Sequence, residues 1–547
     1  MRNERAGAGG RGPGAGEQAG PPPSDDAAPP GEKFDGRGQA PRPLAVWLER
    51  AVVACLFLFA AFAPHSIAGT QGAWLLATTL WAARFLLKPR PVGHRTPLDY
   101  ALLGFFILTF LSALTSYEPD LSIGKLRAAS LFTIVYVVAQ NVRERRVLRA
   151  LVFVLVVSCT VNVVYTFGAY AVGRGVRLDA LAADSPLRAK RLLEGDTLLS
   201  ADGAPLREPA DLVRALEAKG VDAGGSRPVR VRLYRVELLP EAELRSGDLL
   251  AGETAEARLG IVKWSYGRDQ RARGFFGHYT TYAEALQLVA SLALGLLVAL
   301  RRKVSWKGAL LGAALAGMCG ALILTVTRAS WLGFLLSAFT VALVGASRRT
   351  LLVTGAVALP LVAAGLFVLQ QKRQVGFIDP KEGSTAWRLM VYRESFEVLA
   401  REPRHLAVGV GMDTLKRRWR GWGMFDEGRQ PWGHLHSTPL QIAFERGVPA
   451  LLVWLALLLL YARVLWRLAR GGARRDWVVR GLALGALGGL VGFFTSGLVH
   501  YNLGDSEVAE IFYFIMGLAL AAERLARGND LQTGADDSGI DPPPLRS

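Results

Sequence analysis

The chain has 547 residues, 51% of them hydrophobic, and 64 Lys and Arg against 46 Asp and Glu give a formal net charge of +18. The apolar residues collect in runs of roughly 17 to 25, the length that crosses a bilayer as a helix, which excludes an ordinary soluble globular protein. Most of the positive excess lies in short loops between those runs, the pattern of cytoplasmic loops in a membrane protein, so it does not point to nucleic acid as a partner.

In chain order, residues 1–43 are rich in Gly, Pro and Ala, as in Pro21-Pro22-Pro23, and read as a disordered cytoplasmic tail with no cleavable signal peptide; residues 527–547 read the same way. Between the tails the hydropathy predicts about twelve spans, at 47–66, 68–88, 98–115, 123–141, 147–171, 279–300, 307–327, 329–347, 350–370, 448–466, 478–499 and 506–523. They group as 44–171 (helices 1–5), 265–370 (helices 6–9) and 448–526 (helices 10–12). With the N-terminus cytoplasmic, the inner loops Lys88–Arg95, Arg143–Arg149, Arg301–Lys307, Arg348–Arg349 and Arg463–Arg480 are all basic. The short outer turns Ser116–Ser122 and His500–Glu507 carry Glu118, Asp120, Asp505 and Glu507 instead. Cys55, Cys159 and Cys319 sit inside apolar runs without Cys-x-x-Cys spacing and read as small buried hydrophobes.

Two long segments fall on the outer face, 172–264 and 371–447. The first reads as a small α+β module: an alternating strand at Gly175–Leu181, a helix start at Ser185-Pro186, strand-forming residues closed by an Asp202-Gly203 turn, a helix over Pro209–Lys219 and a last strand at Val229–Arg235. Ser185-Pro186, Glu194-Gly195-Asp196, Asp202-Gly203, the Ala210-Asp211-Leu212 helix and the last strand resemble a bacterial PDZ domain. PDZ domains bind extended peptides by adding a strand to a sheet edge, and the nearest match to their carboxylate-binding loop is Val172-Gly173-Arg174-Gly175; a docking or spacer role is the alternative.

The second outer segment holds a helical stripe of Leu389, Tyr392, Phe396 and Leu399, which predicts an amphipathic helix on the membrane surface. It ends at the polar loop His434-Leu435-His436-Ser437-Thr438-Pro439, where a neutral imidazole meets a neighbourhood crowded with arginines. Arg328, at the tight outer turn between spans seven and eight, is an arginine among apolar helices and marks a functional site; the alternative is a snorkelling anchor.

The ordered set Arg273-Gly274-Phe275-Phe276-Gly277-His278, Thr327-Arg328-Ala329-Ser330-Trp331-Leu332-Gly333, Trp387-Arg388, Gly409-Val410-Gly411, His434–Ile442, Glu445-Arg446-Gly447-Val448-Pro449 and Asn502–Glu507 resembles the O-antigen ligase and polymerase superfamily. The resemblance implies an all-α, GT-C-like polytopic protein of a bacterial inner membrane, with cytoplasmic termini and a periplasmic catalytic loop. It implies transfer of a glycan from undecaprenyl diphosphate to an acceptor such as lipid A core, a growing glycan or a protein, in lipopolysaccharide or other polysaccharide synthesis, with no cofactor. It maps the family's loop histidine onto His436, followed here by Ser437 where the family usually has Asn, and its functional arginines onto Arg328, Arg388 and Arg273. His434 and Ser437 are then candidates for orienting the acceptor.

The residue chemistry agrees. A diphosphate leaving group needs charge neutralisation, which guanidinium groups supply bidentately, and an acceptor hydroxyl needs a base such as His436. That scheme predicts inversion without a metal. The competing readings are a transporter for the same lipid-linked glycans, an intramembrane protease, which would need a His-Glu-x-x-His that the chain lacks, and a PDZ-bearing scaffold.

Overall fold

In the computed structural model, residues 43–222, 227–235, 238–268, 271–346, 383–431, 433–471 and 476–537 are described. The chain is mostly helical. Five helices come first: α1 (Pro43–Phe62), α2 (Ile67–Arg84), α3 (Asp99–Leu114), α4 (Pro119–Asn141), which tightens to a 3-10 turn at Ser130–Phe132, and α5 (Arg145–Val172). An α+β module follows, with β1 (Val176–Leu181), β2 (Thr197–Ala201), β3 (Ala204–Pro205), α6 (Pro209–Asp222), β4 (Val229–Tyr234), β5 (Glu241–Leu244) and β6 (Ile261–Tyr266). The membrane bundle resumes with α7 (Tyr279–Ala299), α8 (Trp306–Leu324) and α9 (Arg328–Gly345). After α10 (Gly383–Arg401) and the short α11 (Pro403–Val408) come α12 (Thr438–Arg470), α13 (Trp477–Gly497) and α14 (Ser506–Asp537).

Among the described residues, eight helices are long and apolar enough to cross a membrane: α1, α4, α5, α7, α8, α9, α12 and α13. This makes the chain a multi-pass membrane protein. The expected spans at 68–88, 98–115 and 506–523 coincide with α2, α3 and the start of α14, of which α3 is apolar but only 16 residues long and α14 carries Glu507, Glu510 and Glu523. The expected span at 350–370 lies outside the described residues.

The α7–α13 pair is the axis of the bundle. Their apolar stretches are 83% and 78% buried, against 22% for α9. Glycines let the two backbones touch: a Cβ on Gly295 would lie 2.3 Å from the Gly485 nitrogen. Packing through small residues is how helices associate where water gives no hydrophobic drive. The same contacts set the register. Gly295 lies against Gly485, Gly492 against the Gln287 amide, and Ser337 of α9 is 2.9 Å from Gln287. The starts of α7 and α9 and the end of α13 therefore share one end of the bundle. At the opposite end basic side chains meet acidic ones, Arg84 with Glu49 (2.9 Å) and Arg149 with Asp476 (2.8 Å), where Asp476 also caps α13.

Cys55 and Cys159 are buried as expected, while Cys319 is only partly so. The inserted module has an antiparallel sheet in the order β5-β4-β2-β1-β6, with β3 paired to β2. β4 alternates as its sequence predicts, with Val229, Val231 and Leu233 buried against Leu212 and Leu216 of α6. Asp202 and Gly203, with φ of +47° and +87°, make the tight turn between β2 and β3. The strand read as the last is followed by two more, β5 and β6, short or polar enough to lack a clear alternation. Val172–Gly175 is not shaped as a carboxylate loop: the Arg174 N–H donates to the Gly267 carbonyl (2.9 Å), and a Cβ on Gly173 would lie 2.6 Å from that of Tyr266.

Candidate active site

The segment between α11 and α12 folds over the end of the bundle where α7 and α9 begin. Its own core is Val391 and Val398 of α10 with Met424, Phe425, Leu435 and Phe444. The stripe expected to pack does so in part: Leu399 is buried and Tyr392 partly so, but Leu389 and Phe396 are exposed, and Val391, Ser395 and Val398 complete the inward face. The Glu394 carboxylate explains part of this, because it turns in to accept the N–H groups of Phe425 (2.7 Å) and Asp426 (3.0 Å).

The histidine loop is fixed at several points. The Tyr392 hydroxyl lies 2.9 Å from the His436 carbonyl and 3.2 Å from that of Leu498. Gln441 accepts the Leu435 N–H (2.8 Å), and the Thr438 N–H donates to the His500 carbonyl (3.0 Å). Thr438 Oγ1 donates to Asn502 Oδ1 (2.8 Å), and Asn502 in turn donates to the Phe493 carbonyl (2.7 Å). Buried Ser437 caps α12, its Oγ accepting the Leu440 N–H at 3.5 Å. His436 is held at φ +50°, a left-handed conformation that side chains avoid unless their surroundings enforce it. Its N–H donates to His434 Nδ1 (3.3 Å), the two imidazole centroids are 4.2 Å apart, and Trp387 stands edge-on to His436 at 5.1 Å.

Four of the seven histidines gather here: His434, His436, His278 at the start of α7 and His500 after α13. Burial first, then the positive field of His434, Arg388, His500 and His278, pushes the His436 imidazole down to about 3. Burial and the neighbouring cations push His434 to about 4 and His500 to about 4, and His278 also falls below its ordinary range. All four are neutral near pH 7 and able to accept protons. His500 Nδ1 pairs with the buried Glu284 at 3.0 Å.

The sequence-derived arginines are placed unequally. Arg388 of α10 lies within electrostatic reach of both His436 and His500. Arg328 is the first residue of α9; since Gly333 packs on Gly492, Arg328 lies level with the end of α13, on the same end of the bundle as His500. Arg273 is exposed, with Nη1 3.4 Å from the Gly277 carbonyl, and its field is shared first with Arg174 and also with Arg232 of the module. Arg271 stands 4.4 Å over the Tyr279 ring and acts on both His278 and His500. Sequence reasoning passed over Arg271, His500, Glu284 and Tyr392. From the sequence Tyr392 reads as part of an apolar stripe and His500 as the start of an outer turn, and nothing local marks any of the four until the fold brings them to the histidine cluster.

Residues 313–455 match the O-antigen ligase family. That stretch, about a quarter of the chain, is what is similar to the family. The match runs from within α8 to the first half of α12, so it takes in Arg328, Arg388, His434, His436 and Ser437 and leaves out Arg273, His278 and His500. The matched stretch thus contains the histidine loop, and neighbouring parts of the chain complete its surroundings. No curated protein matches the chain. Among the described residues, no three His, Cys, Asp or Glu side chains are grouped to hold a metal ion.

Proposed function

We propose that the protein is an inverting membrane glycosyltransferase that moves a glycan from undecaprenyl diphosphate to an acceptor hydroxyl at the outer face of a bacterial inner membrane. The observation that carries this reading is the neutral, strained His436 beside Arg388 at the end of a membrane bundle, within the stretch that matches the O-antigen ligase family. His436 takes the acceptor hydroxyl proton as that oxygen attacks the anomeric carbon. The bond from that carbon to the diphosphate breaks on the opposite side, and Arg328 and Arg388 hold the negative charge of the leaving group. With guanidinium groups in that role, the scheme needs no metal.

An imidazole near 3 is a weak base, but a bound diphosphate sets a negative field against the positive one around it and raises it. The base therefore strengthens when the donor arrives. Lipid A core is the preferred acceptor, because the Arg-rich segment 383–437 offers a broad surface for a bulky partner. A growing glycan or a protein hydroxyl are the acceptors of the same superfamily that the test separates. We read the inserted module as PDZ-like, a docking unit whose outer strands are β5 and β6.

The test is reconstitution with a polyprenyl-diphosphate glycan and each acceptor in turn, with and without EDTA. The wild type transfers to one of them, EDTA leaves the rate unchanged, and His436→Ala lowers it by about 10²- to 10⁴-fold. Transfer to none of them, or full function of His436→Ala in cells, overturns the enzyme reading and favours a transporter.

A further inference from the structure

α12 breaks near its start. Gly447 adopts φ +83°, and the residue before it, Arg446, turns into the bundle with only 7% of its surface exposed. Its Nη2 is 3.4 Å from the Tyr501 hydroxyl and 3.9 Å from Glu445, both weak contacts. Its Nε and Nη1 have no hydrogen-bond partner among the described residues. Glu445 is otherwise engaged, accepting from the Asp413 N–H and the Gln441 amide, both at 2.9 Å. A buried guanidinium with unused donors among membrane helices is expensive, and such a group marks a ligand.

Arg446 is one of the residues around a cavity of ≈ 80 Å³. Phe105, Ala128 and Tyr513 form its apolar wall, Tyr501 closes it toward His434, and Lys125, half-exposed and 2.8 Å from Asp413, stands at its edge. The volume suits a few waters or one small oxyanion. The unused donors select between them: Lys125 and Arg446 balance Asp413 and Glu445 in the lining, but Glu445 and Asp413 are already engaged, so the guanidinium is left to present the fork that phosphate and carboxylate groups accept.

We propose that this cavity binds a phosphate or carboxylate group of the acceptor. The inference rests on the glycosyl-transfer reading for the word acceptor. Tyr501 joins the cavity to the histidine loop, its ring 5.9 Å from that of His434 and its hydroxyl 3.4 Å from Arg446, so an acceptor anchored there reaches the proposed base.

The oxyanion site is tested without turnover. The full-length protein in nanodiscs is titrated with inorganic phosphate at constant ionic strength, with heat of binding and melting temperature as readouts. Wild type, His436→Ala and the Arg328→Gln/Arg388→Gln double variant bind phosphate, whereas Arg446→Gln binds at least about tenfold more weakly. If Arg446→Gln misfolds, Lys125→Gln at the cavity edge serves, with a several-fold loss expected. Undiminished binding in those variants, binding lost only in the double variant, or no phosphate binding to the wild type overturns the site. Transfer assays then decide the acceptor's part: Arg446→Gln raises the KM for acceptor, and the rise vanishes when the acceptor is stripped of phosphate, or when its carboxyls are amidated, according to which group docks. An unchanged KM on the untreated acceptor overturns the acceptor assignment. Failure of transfer with every acceptor bears on the glycosyltransferase reading and leaves the phosphate titration standing.

Discussion

Protonating the histidine cluster works against the fold. His436, His434 and His500 have folded-state values of about 3, 4 and 4, below the ordinary 6.5. Between those limits the unfolded chain binds more protons than the folded one, so stability rises with pH. The contribution is fully present above about 6.5 and drains away as pH falls toward the folded values. Asp505, raised by burial to about 6, works in the opposite sense, since its contribution is lost as pH rises through that value. A difference between variants isolates the imidazole: the melting temperature of His436→Asn falls less than that of the wild type between pH 6.5 and pH 4. Parallel curves would show that His436 is not held neutral by the fold. Arg388 makes a second case at this scale. Lysine keeps its charge but loses the planar fork, so Arg388→Lys should lower transfer by on the order of 10²-fold while leaving the melting temperature near that of the wild type. An active Arg388→Lys would reduce Arg388 to a point charge.

At the scale of elements, the break in α12 decides where the chemistry can sit. Gly447, at φ +83° and ψ 166°, occupies backbone space essentially reserved for glycine, and a Cβ there would lie 2.6 Å from the Ala407 carbonyl oxygen. Gly409 meets the same crossing from the other strand of chain, where a Cβ would lie 2.3 Å from the Glu445 carbonyl. Gly447→Ala should therefore destabilise by about 1–3 kcal/mol or more, and the shift should pass to Glu445 and Arg446 on one side of the crossing. Calorimetric or fluorescence melting in detergent measures it, and an unchanged midpoint would mean that the crossing yields easily.

Both glycines stood in motifs quoted from the sequence, but motif spacing alone does not say that they touch. The helix α10 shows the same boundary in another way. Its apolar period was legible, yet Val391, Ser395 and Val398 join Leu399 on the buried face while Leu389 and Phe396 stay out, with the partly buried Glu394 turned to accept the Phe425 and Asp426 N–H groups. A carboxylate that turns inward for backbone N–H groups leaves no trace in hydropathy.

For the molecule as a whole, hydropathy and loop charge located the helices of the bundle well, since burial in lipid imposes its length rule on each helix separately. The proposed roles of His436 and Arg388 rest on motif resemblance together with their place in the histidine cluster. What escaped were His500, Glu284 and Arg271, whose roles exist only once α7 and α13 are side by side, and the cavity at Arg446, which five separate stretches of chain enclose. The module is the reverse case, a unit that can be lifted out. Its two connections meet at the base of the sheet, where the Arg174 N–H donates to the Gly267 carbonyl at 2.9 Å, so a short Gly-Ser linker can span the gap left by removing residues 176–266. The module buries its own core of Val176, Leu198, Val231, Leu233 and Leu212, and no part of the histidine cluster lies in it. The shortened protein should keep the wild-type kcat toward a detergent-solubilised acceptor, since the groups that surround His436 all remain. In cells it should lose function if the module docks a partner. A large fall in kcat in the reconstituted assay, with the melting temperature preserved, would instead place part of the reacting site on the module, with Arg232, whose charge acts on Arg273, as its first suspect.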